Sequence, residues 1–165
     1  MSIKNRVKMG PNYVPAYQAA GTPFVTSSVA SGTNRGPVRV QFPYVTKTIT
    51  VSNLDNDTAL RIAFSSSGSY AVGEAVGGSS HNKPGHTDAY ATAYQGNNFF
   101  LLPQVGATAT PGAATITLDV RTTEVYFTAD HATNTARFSC YAGLTGIERS
   151  EFPTLTASNG FYGVG

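Results

Sequence analysis

Few residues in this sequence carry side chains able to do chemistry, and their spacing argues against a reaction. The three histidines are His81, His86 and His131. A nucleophile–base–acid triad needs a firmly held imidazole, although its members need not be adjacent in sequence. His81 and His86 sit in a stretch rich in Gly, Ser, Pro and Asn, a poor mount for a general base, and His131 follows Asp130 in an apparent turn. His81, His86 and Asp88 could supply metal ligands, but loop spacing of this kind is unspecific and also reads as polar loop. Asp55-Asn56-Asp57 is acidic enough to attract calcium, yet it lacks the sixth-position glycine and twelfth-position glutamate of an EF-hand loop. Asn56-Asp57-Thr58 matches the glycosylation sequon, but the N-terminal residues have no apolar stretch of secretory type, so modification is not expected. Cys140 is the single cysteine and cannot form an internal disulfide. It alternates with Phe138, Ala142 and Leu144, which suggests a small buried residue rather than a reactive thiol. No Walker loop, dinucleotide-binding glycine fingerprint, His-Glu-x-x-His or Cys-x-x-Cys pair is present. The expectation is a non-enzyme with no cofactor and no metal.

Composition narrows the class further. The chain has 165 residues, of which only 12% are charged and 41% hydrophobic. It holds 17 glycines, 9 prolines, 9 phenylalanines, 9 tyrosines and no tryptophan. So few charges exclude a coiled coil, and so many aromatic and β-branched residues argue against a disordered chain. The net charge of +2 is uneven. Residues 1–10 carry Lys4, Arg6 and Lys8 and no acid, which leaves the other 155 residues a net −1. The body is therefore not a basic nucleic-acid-binding domain. Contact with nucleic acid is expected at most weakly, through the arm of residues 1–20. No window approaches 18 consecutive apolar residues, so no membrane span is expected, and the sequence reads as a soluble protein made in a cytoplasm.

Period-two alternation supplies the elements. Val38, Val40 and Phe42 share one side of a strand. Val45, Ile49 and Val51 share a face across residues 44–52, with Thr46, Thr48 and Thr50 opposite and Lys47 interrupting the apolar side. Leu60, Ile62 and Phe64 alternate with Arg61 and Ala63, and Ile116, Leu118 and Val120 with Thr115, Thr117 and Asp119. Phe138, Cys140, Ala142 and Leu144 alternate with Ser139, Tyr141 and Gly143. Each pattern predicts a half-buried strand. Phe99–Leu102 and residues 125–127 are continuous apolar runs, predicted as strands buried on both faces or set against another subunit. Weaker strands are expected at 24–29, 70–76 and 89–94. Residues 53–57 read as a hairpin loop between two strands, and 32–37, 130–134 and Pro111-Gly112 as further turns. No apolar 3.6 period lasts three turns, so helix content should be small. The sum is an all-β fold: a single jelly-roll β-sandwich of about eight strands in two antiparallel sheets, with long loops. The rival immunoglobulin-type sandwich lacks its Cys–Trp–Cys signature here. The expected organisation is an arm at 1–20, a sandwich at 21–150 with a Gly/Ser-rich excursion at 65–98, and a tail at 151–165. Phe42, Ile49, Val51, Ile62, Phe64, Ile116, Leu118, Phe138 and Leu144 are expected in the core.

Three stretches in order carry a resemblance. They are residues 12–18 leading into 21–26, residues 40–51 (VQFPYVTKTITV) and residues 140–147 (CYAGLTGI), with Asn98-Phe99-Phe100-Leu101-Leu102 between the last two. Over about residues 12–147 this series resembles the small single-jelly-roll capsid proteins of large icosahedral double-stranded DNA viruses of eukaryotes. The resemblance implies a structural protein of the virion capsid, assembled in the host cytoplasm as a pentameric vertex, or penton, beside neighbouring capsid proteins. A minor capsid or decoration protein of the same fold would fit the same phrases. From another class, a carbohydrate-binding lectin-like sandwich is suggested by the aromatics Tyr70, Tyr90, Tyr94, Phe161 and Tyr162. Lys4, Arg6, Lys8, Phe99 and Phe100 are the residues expected to serve assembly. If the arm docks on a shell or a neighbouring subunit, deleting residues 1–10 should leave the melting temperature unchanged and lower incorporation into particles. Normal particle yield from the truncated chain would refute that role.

Overall fold

The computed structural model describes residues 21–71, 97–106, 114–156, 159–161 and 163–164. The weaker strand expected at 89–94, most of that at 70–76, and the turn at Pro111-Gly112 lie outside the described residues. Eight strands appear: β1 (Pro23–Ala30), β2 (Val38–Gln41), β3 (Tyr44–Asn53), β4 (Leu60–Ala63), β5 (Phe99–Leu102), β6 (Thr115–Leu118), β7 (Glu124–Ala129) and β8 (Ala136–Glu148). Among the described residues helical structure is limited to 3-10 pieces, with turns at Thr33–Arg35, Ser67–Ser69 and Arg149–Glu151 and a single 3-10 residue at Asn159. The expected all-β architecture is present. One sheet has the order β1-β8-β3-β6 and the other β2-β7-β4-β5, with every pairing antiparallel.

The two inner faces meet in one core. Ile49, Val51, Phe138, Cys140, Ala142 and Leu144 of the first sheet pack against Val40, Leu60, Ile62, Val125 and Phe127 of the second. Phe127 of β7 stacks on Phe138 of β8 at 4.1 Å between ring centroids, and Phe24 of β1 meets Phe42 edge-on at 5.2 Å. These contacts set β8 over β7 and β1 over the end of β2, so β6 and β5 both close the opposite side of the sandwich. β7 is buried along most of its length, as its unbroken apolar run predicts, because it lies inside its sheet with both faces covered.

Three expectations change in the fold. Residues 53–57 are not a hairpin loop: β3 and β4 lie in different sheets, and the segment crosses between them. Alternation in two successive strands does not say whether they pair or stack. The interrupted apolar face of β3 has a simple cause. The register slips between Tyr44 and Thr46 and again between Thr46 and Thr48. These bulges send Lys47 to solvent, turn Thr46 inward, and move Val45 into a separate small cluster with Ile147 and Phe152. Finally, β4 is buried on both faces, including Arg61. Its outer face is packed by the 3-10 turn Ser67–Ser69 and by Phe99, which carries the Arg61 guanidinium 4.6 Å from its ring centroid.

Two glycines are required by close approach. A side chain at Gly32 would strike the carbonyls of His131 and Ala132, at 2.7 and 2.6 Å, where the 32–34 and 131–132 loops are tied by Thr33 and Asn34 amides. One at Gly21 would collide with the Leu144 carbonyl where the chain enters β1. Of the expected core, Phe42, Ile49, Val51, Ile62, Phe138 and Leu144 are buried. Phe64, Ile116 and Leu118 are only half-buried, the last two because β6 is a short edge strand. Ile62→Ala should therefore cost about 2–5 kcal/mol in urea unfolding, through lost transfer energy and a cavity. Leu118→Ala should cost less, roughly 1–2 kcal/mol, and equal losses would mean that β6 is more deeply packed than described.

Candidate assembly surface

Among the described residues, those with chemically capable side chains make local structural contacts. His131 is exposed, and its Nδ1 accepts from the amides of Thr133 and Asn134 at 3.2 and 3.0 Å, so the imidazole closes a turn. Asp55 Oδ1 accepts from the amides of Asp57 and Thr58, both at 3.1 Å, which commits that oxygen to folding the loop rather than to calcium. Asn56 of the sequon is exposed and Thr58 buried. Cys140 faces the core, and burial pushes its thiol up to about 12. Among the described residues no group of three or more His, Cys, Asp or Glu could hold a metal ion, and no helix is long and apolar enough to cross a membrane. His81, His86 and Asp88 lie outside the described residues.

Of the residues expected to serve assembly, Lys4, Arg6 and Lys8 also lie outside the described residues. Phe99 and Phe100 sit on β5, an edge strand with β4 on one side only. Of the two readings of this apolar run, burial on both faces is not what occurs. Leu102 is buried and Phe99 half-buried, but Phe100 and Leu101 are 47% and 51% exposed. Phe100 lies opposite Ile62 and Leu101 opposite Arg61, so the two project on opposite faces of the same edge. Val105, just beyond, is exposed as well, and its amide is held by the Asp55 carbonyl at 2.7 Å. An edge strand offers unpaired backbone groups, and here it adds apolar side chains on both faces.

The outer faces of the two sheets differ in chemistry. That of the first sheet is a lattice of hydroxyls. Ser27 donates to Ser139 at 3.2 Å, while Thr50 and Thr117 pair at 3.0 Å and Ser52 and Thr115 at 2.9 Å. Tyr141 stands between Val25 and Thr50 in the same surface, and Val25 is 69% exposed. The outer face of the second sheet carries charge. Glu124 accepts from Arg39 through Oε2 and from the Tyr126 hydroxyl through Oε1 at 3.0 Å. The hydrogen bond to Glu124 raises the Arg39 pKa, and burial first, then Glu124, raises that of Tyr126. Arg61 pairs with Asp130 at 2.5 Å. Beside it, Thr128 Oγ1 is buried without a hydrogen-bond partner. Sequence reasoning missed these pairs. Arg61, Glu124 and Asp130 are scattered over β4, β7 and the turn that follows, and only the pairing of β4 with β7 brings two of them together. Tyr70, expected as a surface aromatic, is 2% exposed because the 3-10 turn that precedes it folds back onto β4 and β7.

No protein-family profile matches the chain, and a search of curated proteins finds no significant match.

The buried thiol yields a prediction with a definite sign. A thiol whose pKa is raised on folding keeps more protons folded than unfolded, so its contribution is complete below the unfolded value near 9.0 and is lost as pH climbs towards about 12. The raised Tyr126 acts in the same direction. Stability should fall from about pH 9 upward. In the native protein at pH 8, Cys140 should not react with a thiol-specific disulfide reagent, and in guanidinium chloride it should react fully. Rapid native reaction would show that the thiol is reached without unfolding.

Proposed function

We propose that this chain is a structural capsid protein, a single jelly roll that assembles as the pentameric vertex of an icosahedral virus shell. The observation that carries the reading is the nesting of its strand pairs: β1 with β8, β2 with β7, β3 with β6, and β4 with β5. Nested pairs rolled into two sheets are the order of a jelly roll, the sandwich of many capsid shells. The reading draws its choice of shell position from the resemblance in residues 12–147. A closed ring of one chain needs a heterologous contact, in which one side of each subunit meets a different side of the next. The exposed apolar edge at Phe100 and Leu101 suits one such side, and the β1 edge with Val25 and Val29 lies at the other margin of the sandwich. Neighbouring capsid proteins would then surround the ring, in a virion assembled in the host cytoplasm.

The hydroxyl lattice around Tyr141 favours a second reading, a lectin-like sandwich that binds glycans. Hydroxyls and an exposed aromatic ring are the groups that meet sugar hydroxyls and sugar faces. One pair of measurements separates the two. Native mass spectrometry and negative-stain imaging of the purified chain should show five-fold rings. The double variant Phe100→Ser, Leu101→Ser should yield monomers with a melting temperature close to that of the parent, since surface changes usually stay within about 0.5 kcal/mol each. A parent chain that stays monomeric at every concentration and binds a glycan array would overturn the capsid reading in favour of the second.

A further inference from the structure

Residues 65–71 and 97–98 flank, in sequence, the stretch 72–96. Both flanks are touched by one short piece of chain far away in sequence. Ser65 Oγ donates to the Val164 carbonyl and accepts from the Gly68 amide at 2.9 Å. Asn98 Nδ2 donates to the Gly163 carbonyl at 3.2 Å. Gly68 is buried under the same piece: a Cβ there would run into the Val164 carbonyl. A turn delivers the segment. The Asn159 and Phe161 amides both reach the Thr156 carbonyl, at 3.0 and 3.1 Å, and Gly160 takes a φ of 87°, which only glycine adopts freely.

We infer that residues 163–164 are a releasable strap, which holds together residues 65–71 and 97–98, the two flanks in sequence of the stretch 72–96. The strap offers main-chain carbonyls to Ser65 and Asn98, and it sits against Gly68, where a side chain would collide with it. It is also shallow. Gly163 is exposed and Val164 half-buried, and neither belongs to a sheet. Contacts of this kind open at far lower free energy than the core strands. A lost hydrogen bond of ordinary strength shifts such an opening equilibrium by about fivefold. The strap therefore opens while both sheets stay closed, and its opening frees both flanks at once.

Hydrogen–deuterium exchange on the full chain tests this. Gly68→Ala places a methyl group against the Val164 carbonyl, and a chain ending at residue 162 removes the strap without adding an atom. Both should raise exchange across 65–71 and 97–98 together, by about fivefold or more, and leave β3 and β8 as protected as in the parent. Gly163→Ala, whose added Cβ would meet nothing within 4 Å, should exchange like the parent. Unchanged exchange at either flank in the shortened chain would overturn the inference. So would loss of protection in β3 and β8 along with the flanks, since the segment would then be part of the cooperative fold. If Gly68→Ala does not fold, the shortened chain decides alone.

Discussion

The sandwich depends on a buried amide at the place where the chain passes from one sheet to the other. Asn53 ends β3 on the inward-facing side, after Ile49 and Val51, and its side chain is sealed from solvent. Its Nδ2 lies within reach of the carbonyls of Thr58 and Pro103, both at 3.0 Å, and of Leu102 at 3.4 Å, while Oδ1 accepts from the Asp55 amide at 3.0 Å. One side chain thus joins the end of a strand in the first sheet, the crossing loop and the end of β5 in the second. A buried polar group left without a partner costs about 1–3 kcal/mol, which is what these bonds avoid for the sealed Asn53 amide. No apolar residue of the same size could close this corner.

The opposite end of β3 uses the same device. The bulge that expels Lys47 turns Thr46 inward, and its hydroxyl donates to the Val120 carbonyl at 2.8 Å while accepting from the Thr122 amide at 3.0 Å. Residues 120–122 lead into β7 of the second sheet. Both ends of the central strand are therefore fastened to the far sheet by a buried polar side chain, and the apolar core fills the space between. The ion pairs on the outer face of the second sheet matter unequally. Arg39 is about half exposed in its side chain, so its pair with Glu124 is screened by water and adds little. Arg61 is buried against Asp130 and Phe99, and loss of its partner would leave a charge with less water to receive it.

The surface that best fits assembly follows from the same topology. β5 pairs with β4 alone, so a strand whose apolar run suits an interior position lies at an edge. The first sheet turns a face of Ser and Thr hydroxyls outward, uncharged except at its margins. The middle of that face, around Ser27, Thr50, Ser139 and Tyr141, is without charge, while the exposed Lys47, Arg137 and Glu148 lie toward its margins.

Alternation with period two placed β2, β3, β4, β6 and β8, and unbroken apolar runs placed β5 and β7; six of the nine residues expected in the core are buried, because which way a strand side chain points is a local property. Cys140 as an inert core residue was legible for the same reason. Asn53, by contrast, read as the first residue of a loop, although in the structure it continues the inward series Ile49, Val51. What alternation leaves open is which strands pair. Residues 53–57 looked like a hairpin loop because local sequence carries no information on whether two patterned strands lie side by side or face to face. The burial of Arg61 and Tyr70 depended on the nearby turn Ser67–Ser69 folding over the second sheet, and the exposure of Phe100 and Leu101 on β5 having no further neighbour. These outcomes are decided by long-range contacts between β4, β7 and residues 65–70, whose energies exist only once the two sheets have closed.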